Sequence, residues 1–399
     1  MLSTLRALVP QSLARVLFDR IQWSSALLVA CFVAVLWLPS QTRASYVTYL
    51  LLGLMLIYYR RWQDVIELNL MRWICVLLSW MCLTALWSAE VVPGEVVSTW
   101  VRGVLLLTFV AAAAECHLRG YFQRWLGLAM TVAGALTVLV AIANFWWTNP
   151  EDGRLNGLGQ LDTHVVAALI FGVVALLVIH QAYERRLAVW VAVPVVIMIA
   201  VAILLSDSRN AWVSVGLGCA TYLASRWLTD VRVFVLAGVA AGVVAAVMLL
   251  AVASSDVGGA LLLPRGDSFR FAIWSEVLAA VRGGDVIWGM GINTVDDIYQ
   301  GGIVFQHPHN MYLAVYFQAG LIGLGLWVVV IAKTLGLLLR NYSAADAKLA
   351  LSILVVALLS YSLDGHELVD KVGETWFLFW LPVALALGLA WRVPRQRLD

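Results

Sequence analysis

Phe305-Gln306-His307-Pro308-His309-Asn310 runs without interruption into Met311–Leu339, a stretch that is almost entirely apolar and long enough to cross a bilayer. Proline is tolerated at the first position of a helix, where its missing N–H would have no partner. The stretch therefore reads as a membrane helix opening at Pro308, with His309 in its first turn at the water interface. An ionisable group at that depth is costly without a job, which makes the position a functional candidate, against the plainer reading of an interfacial histidine that caps or hydrogen-bonds. Nearly everything before residue 253 and after residue 310 is apolar, and residues 254–309 form the one long polar excursion.

The wider composition agrees. Of the 399 residues, 62% are hydrophobic and 13% charged, a balance that excludes an ordinary soluble domain. Runs long enough to span lie at about 23–39, 44–59, 72–88, 97–115, 122–147, 162–181, 187–206, 209–226, 231–253, 310–333, 346–364 and 374–391. The chain is thus expected to be all-α and polytopic, a single integral membrane domain over 1–399 with about twelve transmembrane helices and both termini on one side. The charges test this arrangement. With the N-terminus cytoplasmic, 18 of the 26 Lys and Arg fall inside and 16 of the 24 acidic residues outside. That assignment places the 254–309 loop and its histidines on the outer face.

Arg6, Arg15 and Arg20 precede the first run with no small-residue cleavage site after it, so that run reads as an uncleaved anchor. Cys31, Cys75, Cys82, Cys116 and Cys219 all sit in or beside apolar runs, which indicates neither a disulfide framework nor a cysteine metal site.

Polar groups gather at the outer side. Asn149 to Thr163 carries Glu151, Asp152, Arg154 and Asp162, and His164 opens the next helix. Ser206-Asp207-Ser208-Arg209-Asn210 is a short turn of capping residues ahead of a helix. Asp364-Gly365-His366-Glu367-Leu368-Val369-Asp370-Lys371 is dense in titratable groups. Within the long loop, Asp267 to Gly283 has the spacing of an amphipathic helix, with Phe271, Trp274, Leu278 and Val281 on one face, suited to lie along the outer leaflet. Gly289-Met290-Gly291 reads as a turn or a close-approach site.

These residues suit one kind of chemistry. Imidazole takes and gives protons near neutral pH, and the positive end of a helix dipole favours its neutral form. An arginine in the first turn of a helix joins its own charge to free backbone N–H groups, a ready anion site. Arg209 answers that description, and Arg265 and Arg270 flank the start of the loop helix. Headgroup contact or snorkelling is the competing reading for each arginine. His307, His164, Arg154, Asp364, His366 and Asp370 are candidates to assist, with Glu367 beside them; solvated loop charge explains those acids equally well. A His-x-His metal site has no matching third ligand nearby, and adjacent Asp296-Asp297 is a weak metal signal. No Walker A loop or Rossmann glycine pattern is present, so the energy for a reaction must arrive with the substrate.

His309-Asn310, nine residues, Gly320, two residues and Gly323 resembles the signature of the O-antigen ligases, within the ligase and polymerase superfamily of bacterial surface polysaccharides. The spans and the single long late loop extend the likeness over essentially the whole chain. The Ser-Asp-Ser-Arg209 turn and the run Arg270…Trp274…Gly289-Met290-Gly291 support it. The resemblance implies a GT-C-like glycosyltransferase of the bacterial inner membrane, with a periplasmic loop at 254–309 and both termini cytoplasmic. Its donor would be O-antigen on undecaprenyl diphosphate and its acceptor a sugar hydroxyl of lipid A–core. No metal, nucleotide, cofactor or nucleic acid would take part. On that reading His309 is the general base, Arg209, Arg270 and Arg265 hold the diphosphate, and the sugar inverts. A polysaccharide polymerase or a protein O-oligosaccharyltransferase would use the same donor and base. A transporter would instead show inverted repeats and charges at mid-membrane, whereas here the charges crowd one face.

Overall fold

The computed structural model describes residues 20–38, 40–58, 62–89, 91–253, 270–294, 298–300, 303–305, 307–365 and 367–392. Over these residues the chain is a helical bundle, and every apolar run of the sequence lies on a helix. The bundle helices are α1 (Arg20–Trp37), α2 (Gln41–Tyr58), α3 (Asn69–Thr84), α4 (Pro93–Leu118), α5 (Gly127–Thr148), α6 (His164–Tyr183), α7 (Val189–Leu205), α8 (Arg209–Trp227) and α9 (Val231–Ala253). The long loop contributes α10 (Arg270–Ala280), the single turn α11 (Asp285–Trp288), and strands β1 (Ile298–Gln300) and β2 (Ile303–Phe305). Then come α12 (Met311–Arg340), α13 (Ala345–Ser360) and α14 (Leu381–Arg392). Short π-helical turns, Phe122–Leu126 and Trp376–Trp380, lead into α5 and α14. Five segments among the described residues are long and apolar enough to cross a membrane: Asn69–Trp87, Pro93–Leu118, Phe122–Thr148, His164–Tyr183 and Met311–Arg340. The protein is a polytopic helical membrane protein.

The helices pack through side-chain interdigitation, because lipid tails offer no hydrophobic drive between apolar helices. α6 lies at the centre, with Ala167 to Val178 buried on all sides. Aromatic rings fill two further regions. Phe377 meets Phe32 and Phe109 edge to face, with Trp376 tilted against Phe109, and Tyr312, Trp327, Tyr361 and Phe379 form a second cluster.

That second cluster corrects the reading of 310–333 as one straight span. In a straight helix residues 312 and 327 would be about 22 Å apart, yet the rings of Tyr312 and Trp327 have centroids 5.0 Å apart. α12 is broken at Gly320, where φ is 64° and ψ −167°. Met311–Ala319 therefore folds back beside the rest of α12. The break releases carbonyls that would otherwise bond within the helix, and each needs a partner in a membrane protein. Met290 N–H donates to Phe317 O (2.8 Å), Gly291 N–H to Gln318 O (3.0 Å), and the Trp80 indole to Ala319 O (3.0 Å). Gly289-Met290-Gly291 is thus the close-approach segment that plugs the break.

Two smaller corrections concern the long loop. The buried face of α10 is Ile273 and Val277, continued by Val281 and packed on Phe317. Phe271 and Leu278, expected on the same face as Val281, are exposed. The helix docks on the folded-back part of α12, so its neighbour chooses the buried stripe. The antiparallel pair β1–β2, with Ile298 opposite Phe305, departs from an all-helical chain. β-branched residues on either side of Gly301-Gly302 are a hairpin signal that the helical reading passed over.

Candidate functional site

Asn310, not Pro308, opens α12. Its side-chain oxygen accepts from the backbone N–H of Tyr312 (3.0 Å) and Leu313 (3.1 Å), the pattern of an N-cap. Its amide donates to Ser362 O (3.0 Å), and Met311 N–H donates to Tyr361 O (2.9 Å). The start of α12 is thereby fastened to the loop after α13. Asn310→Ala should cost about 1–2 kcal/mol from the cap alone, read as a lower midpoint in thermal unfolding of the purified protein.

His309 accordingly stands just before the helix, not in its first turn. Its φ of 48° puts it in the left-handed region, uncommon for a residue with a side chain. This backbone turn brings Nδ1 to 3.2 Å from Asp364 Oδ1, with the side chains 34% and 26% exposed. The ring of His307 lies against that of His309 at 4.1 Å, edge to face. Burial pushes the Asp364 carboxyl up, but the hydrogen bonds from His309 and from Gly365 N–H (2.9 Å), with the charges of both histidines, outweigh it. Asp364 is held below the ordinary carboxylate range, and so is ionised at neutral pH.

The long loop is tied to this motif. The indole of Trp274 donates to Pro308 O (3.0 Å). Arg270, half-buried, lies one turn before Trp274 on α10. Arg265 and His366 lie outside the described residues, as do Asp296 and Asp297.

A second polar group is built from the turns flanking α6 and α8. Arg154 Nη1 is 3.3 Å from His164 Nε2, and its Nη2 is 3.5 Å from Asp207 Oδ2. Leu155 N–H donates to Leu205 O (2.9 Å), which holds the Arg154 loop against the α7–α8 turn. There Asp207 has a φ of 50°, and Ser208 caps α8 through Ala211 N–H (3.4 Å). Arg209 follows at the first helical position, exposed, and Asn210 donates to Ser360 O (3.2 Å). The Asn210 bond joins the start of α8 to the end of α13, four residues before Asp364. Asp364 also acts electrostatically on His164. His309, Asp364, His164, Arg154 and the Arg209 turn therefore belong to one end of the bundle.

Asp370 is engaged elsewhere. It lies 3.7 Å from Arg102 Nη1, and its carbonyl accepts from the Trp376 indole (3.2 Å). Burial first, then the charge of Asp370 and a hydrogen bond to it, push Glu367 up to about 9. Glu367 is protonated at neutral pH, and with Asp370 and Arg102 forms a group separate from the His309–Asp364 pair. Among the described residues, no three His, Cys, Asp or Glu side chains are arranged to hold a metal ion.

The sequence reading missed Trp80, Trp274's bond to Pro308, and Arg102 as the partner of Asp370. It also passed over His117, His180 and Asp346, although ionisable residues in apolar runs are themselves a signal.

A family model described as O-antigen ligase matches residues 194–328, a window holding Arg209, Arg270, His309 and Gly320. A curated protein of Pseudomonas aeruginosa, named O-antigen ligase, is 30% identical over 320 residues, covering 78% of this chain and 75% of that protein.

Proposed function

The chain belongs to the O-antigen ligase family, an enzyme of transferase type, and from that premise we propose that it moves O-antigen from undecaprenyl diphosphate to a sugar hydroxyl of lipid A–core. The reaction takes place at the periplasmic face of the inner membrane. The fold is a GT-C-like bundle of about twelve spans with both termini cytoplasmic, so that the end carrying His309 faces outward. α10, docked on α12 with Phe271 and Leu278 outward, forms the rim along the outer leaflet.

The observation that carries this reading is the pair of His309 Nδ1 and Asp364 Oδ1 at 3.2 Å. An ionised carboxylate at Nδ1 selects the tautomer with its proton there and supports the positive charge that arises on the ring. His309 Nε2 then takes the proton of the acceptor hydroxyl. The acceptor oxygen forms the new bond at the anomeric carbon, and the carbon–oxygen bond to the diphosphate breaks, its electron pair leaving with phosphate. One direct displacement inverts the sugar. Arg209 and Arg270 grip the diphosphate and meet the charge that grows on it, the electrostatic share of the catalysis. Arg265 would join them. His307, His164, Arg154 and Asn310 support the base and the arginine turn, without touching the reacting atoms. Metal and nucleotide have no step to perform, since the activated bond arrives with the donor.

Arg209→Lys tests the anion assignment. A point charge cannot reproduce a planar fork, so donor KM should rise by about tenfold, the worth of one charge-assisted hydrogen bond. Unchanged donor KM would return Arg209 to contact with lipid headgroups.

The decisive experiment supplies the purified protein with undecaprenyl-diphosphate-linked glycan and lipid A–core, with chelator and without nucleotide. Transfer to lipid A–core supports the ligase reading. Chain growth on the lipid-linked donor, or glycan on protein Ser or Thr, would keep the chemistry and replace the acceptor. No turnover with any acceptor would overturn the reading.

A further inference from the structure

At the end of the bundle away from His309, side chains of five helical elements form one network around a carboxylate. Asp346, in the first turn of α13, is almost fully buried. Its Oδ2 lies 3.0 Å from His117 Nε2, near the end of α4, and also accepts from the Gln123 side-chain amide in the turn before α5. Its Oδ1 lies 3.3 Å from His180 Nε2, near the end of α6. His180 Nδ1 in turn lies 3.0 Å from the Tyr222 hydroxyl of α8. Neither imidazole has any exposed surface. Burying a carboxylate is costly unless polar partners surround it; here His117 and Gln123 hydrogen-bond to it and His180 stands in ion-pair contact, three side chains from three other elements. The transfer chemistry does not use this group, since Asp346 is about 21 Å along α13 from Ser360.

Three of the helices tied here also carry part of the outer site. α6 ends outward at His164, α8 at Arg209 and Asn210, and α13 at Ser360 with the loop to Asp364. Apolar helices in lipid have no hydrophobic drive between them, so packing and interhelical hydrogen bonds together fix how they sit against one another. A buried hydrogen-bonded network is directional, and register is the best-attested use of such groups. α8 and α13 are thus tied at both ends, by Asn210 to Ser360 O outside and by Tyr222, His180 and Asp346 at the other.

We propose that Asp346, His117, His180, Gln123 and Tyr222 form a positioning network that sets the axial register of α6, α8 and α13, and so the geometry of the donor-diphosphate site at their opposite ends. The proposal rests on the assignment of that outer end as the donor site.

The test uses full-length protein in lipid nanodiscs, with Asp346→Asn and Tyr222→Phe, the latter removing a single hydroxyl. Phe32→Leu, in the core beside Phe377, serves as the comparison at a similar loss of thermal stability. Kinetics give KM for donor and acceptor separately. Spin labels at Asp162→Cys and Ser362→Cys, with the partly exposed native thiols removed by Cys75→Ala and Cys219→Ala, report the distance between the outer ends of α6 and α13. Asp346→Asn should raise donor KM about tenfold or more, since small misplacements of binding groups are costly, leave acceptor KM within about twofold, and shift or broaden the label distance. Tyr222→Phe should move both in the same direction by less, and carries the test if Asp346→Asn does not fold. Phe32→Leu should move neither. Wild-type donor KM and label distance in the network variants, or equal changes in Phe32→Leu, would overturn the proposal. If even the wild-type protein turns over no donor, the functional reading fails while the label distance still decides the register.

Discussion

Replacing His309 with alanine is expected to lower glycan transfer by about 10²–10⁴-fold, the span that general-base catalysis supplies, in a protein that remains folded and inserted. The residue precedes α12, its side chain is 34% exposed, and little packing is lost with it. Its φ of 48° complicates alanine alone, which enters the left-handed region less readily than histidine or asparagine. His309→Asn separates the two effects. Asparagine tolerates the backbone but offers no base, so both variants should lose transfer, with His309→Asn keeping the wild-type unfolding midpoint. Donor binding should persist in both, because the diphosphate is assigned to Arg209 and Arg270. Wild-type rates in either variant would end the base assignment.

Gly320→Ala is the second large effect, on the fold instead of the chemistry. The pair φ 64°, ψ −167° falls in a region that is essentially glycine's alone. A Cβ there would stand 2.2 Å from Ile287 O and 2.4 Å from Ile287 C, and 2.6 Å from Gly289 N. All three are backbone atoms, of α11 and of the Gly289 turn that follows it, so no side chain can swing aside. Strain and clash together should cost on the order of 3 kcal/mol or more. The expected result is a sharp loss of monodisperse protein and of transfer. Gly336, in the same helix, has nothing within 4 Å of where a Cβ would stand, so Gly336→Ala should be neutral or stabilising by up to about 1 kcal/mol. Equal stability of the two variants would mean that the break at Gly320 does not hold the fold together.

Much of the candidate site is legible in the sequence. His309, Arg209, Arg270 and Asp364 stand out because charged and titratable residues are rare in this chain and cluster beside the ends of apolar runs. Their partners are less legible than their positions. Asp364 and Asp370 belong to one short loop of similar composition, yet one turns to His309 and the other to Arg102. The rule that proline opens helices misplaces His309, because Asn310 two residues after Pro308 offers a better cap. The buried face of α10 escapes a periodicity argument because two apolar stripes compete on one short helix, and only the neighbour it meets decides between them.

Membrane embedding and the placing of the apolar helices along the chain follow from the sequence by itself. Partition into a bilayer depends on apolar content summed along a local window, and capping and charge preferences act within a few residues. Three features are decided only by tertiary structure. The fold-back at Gly320 depends on Met290, Gly291 and Trp80 taking the carbonyls that the break releases. The His309–Asp364 pair and the Asp346 network join residues far apart in the chain. Hydrogen bonds of that kind depend on direction and on ångström distances between elements, and no local pattern in a sequence records which elements will meet.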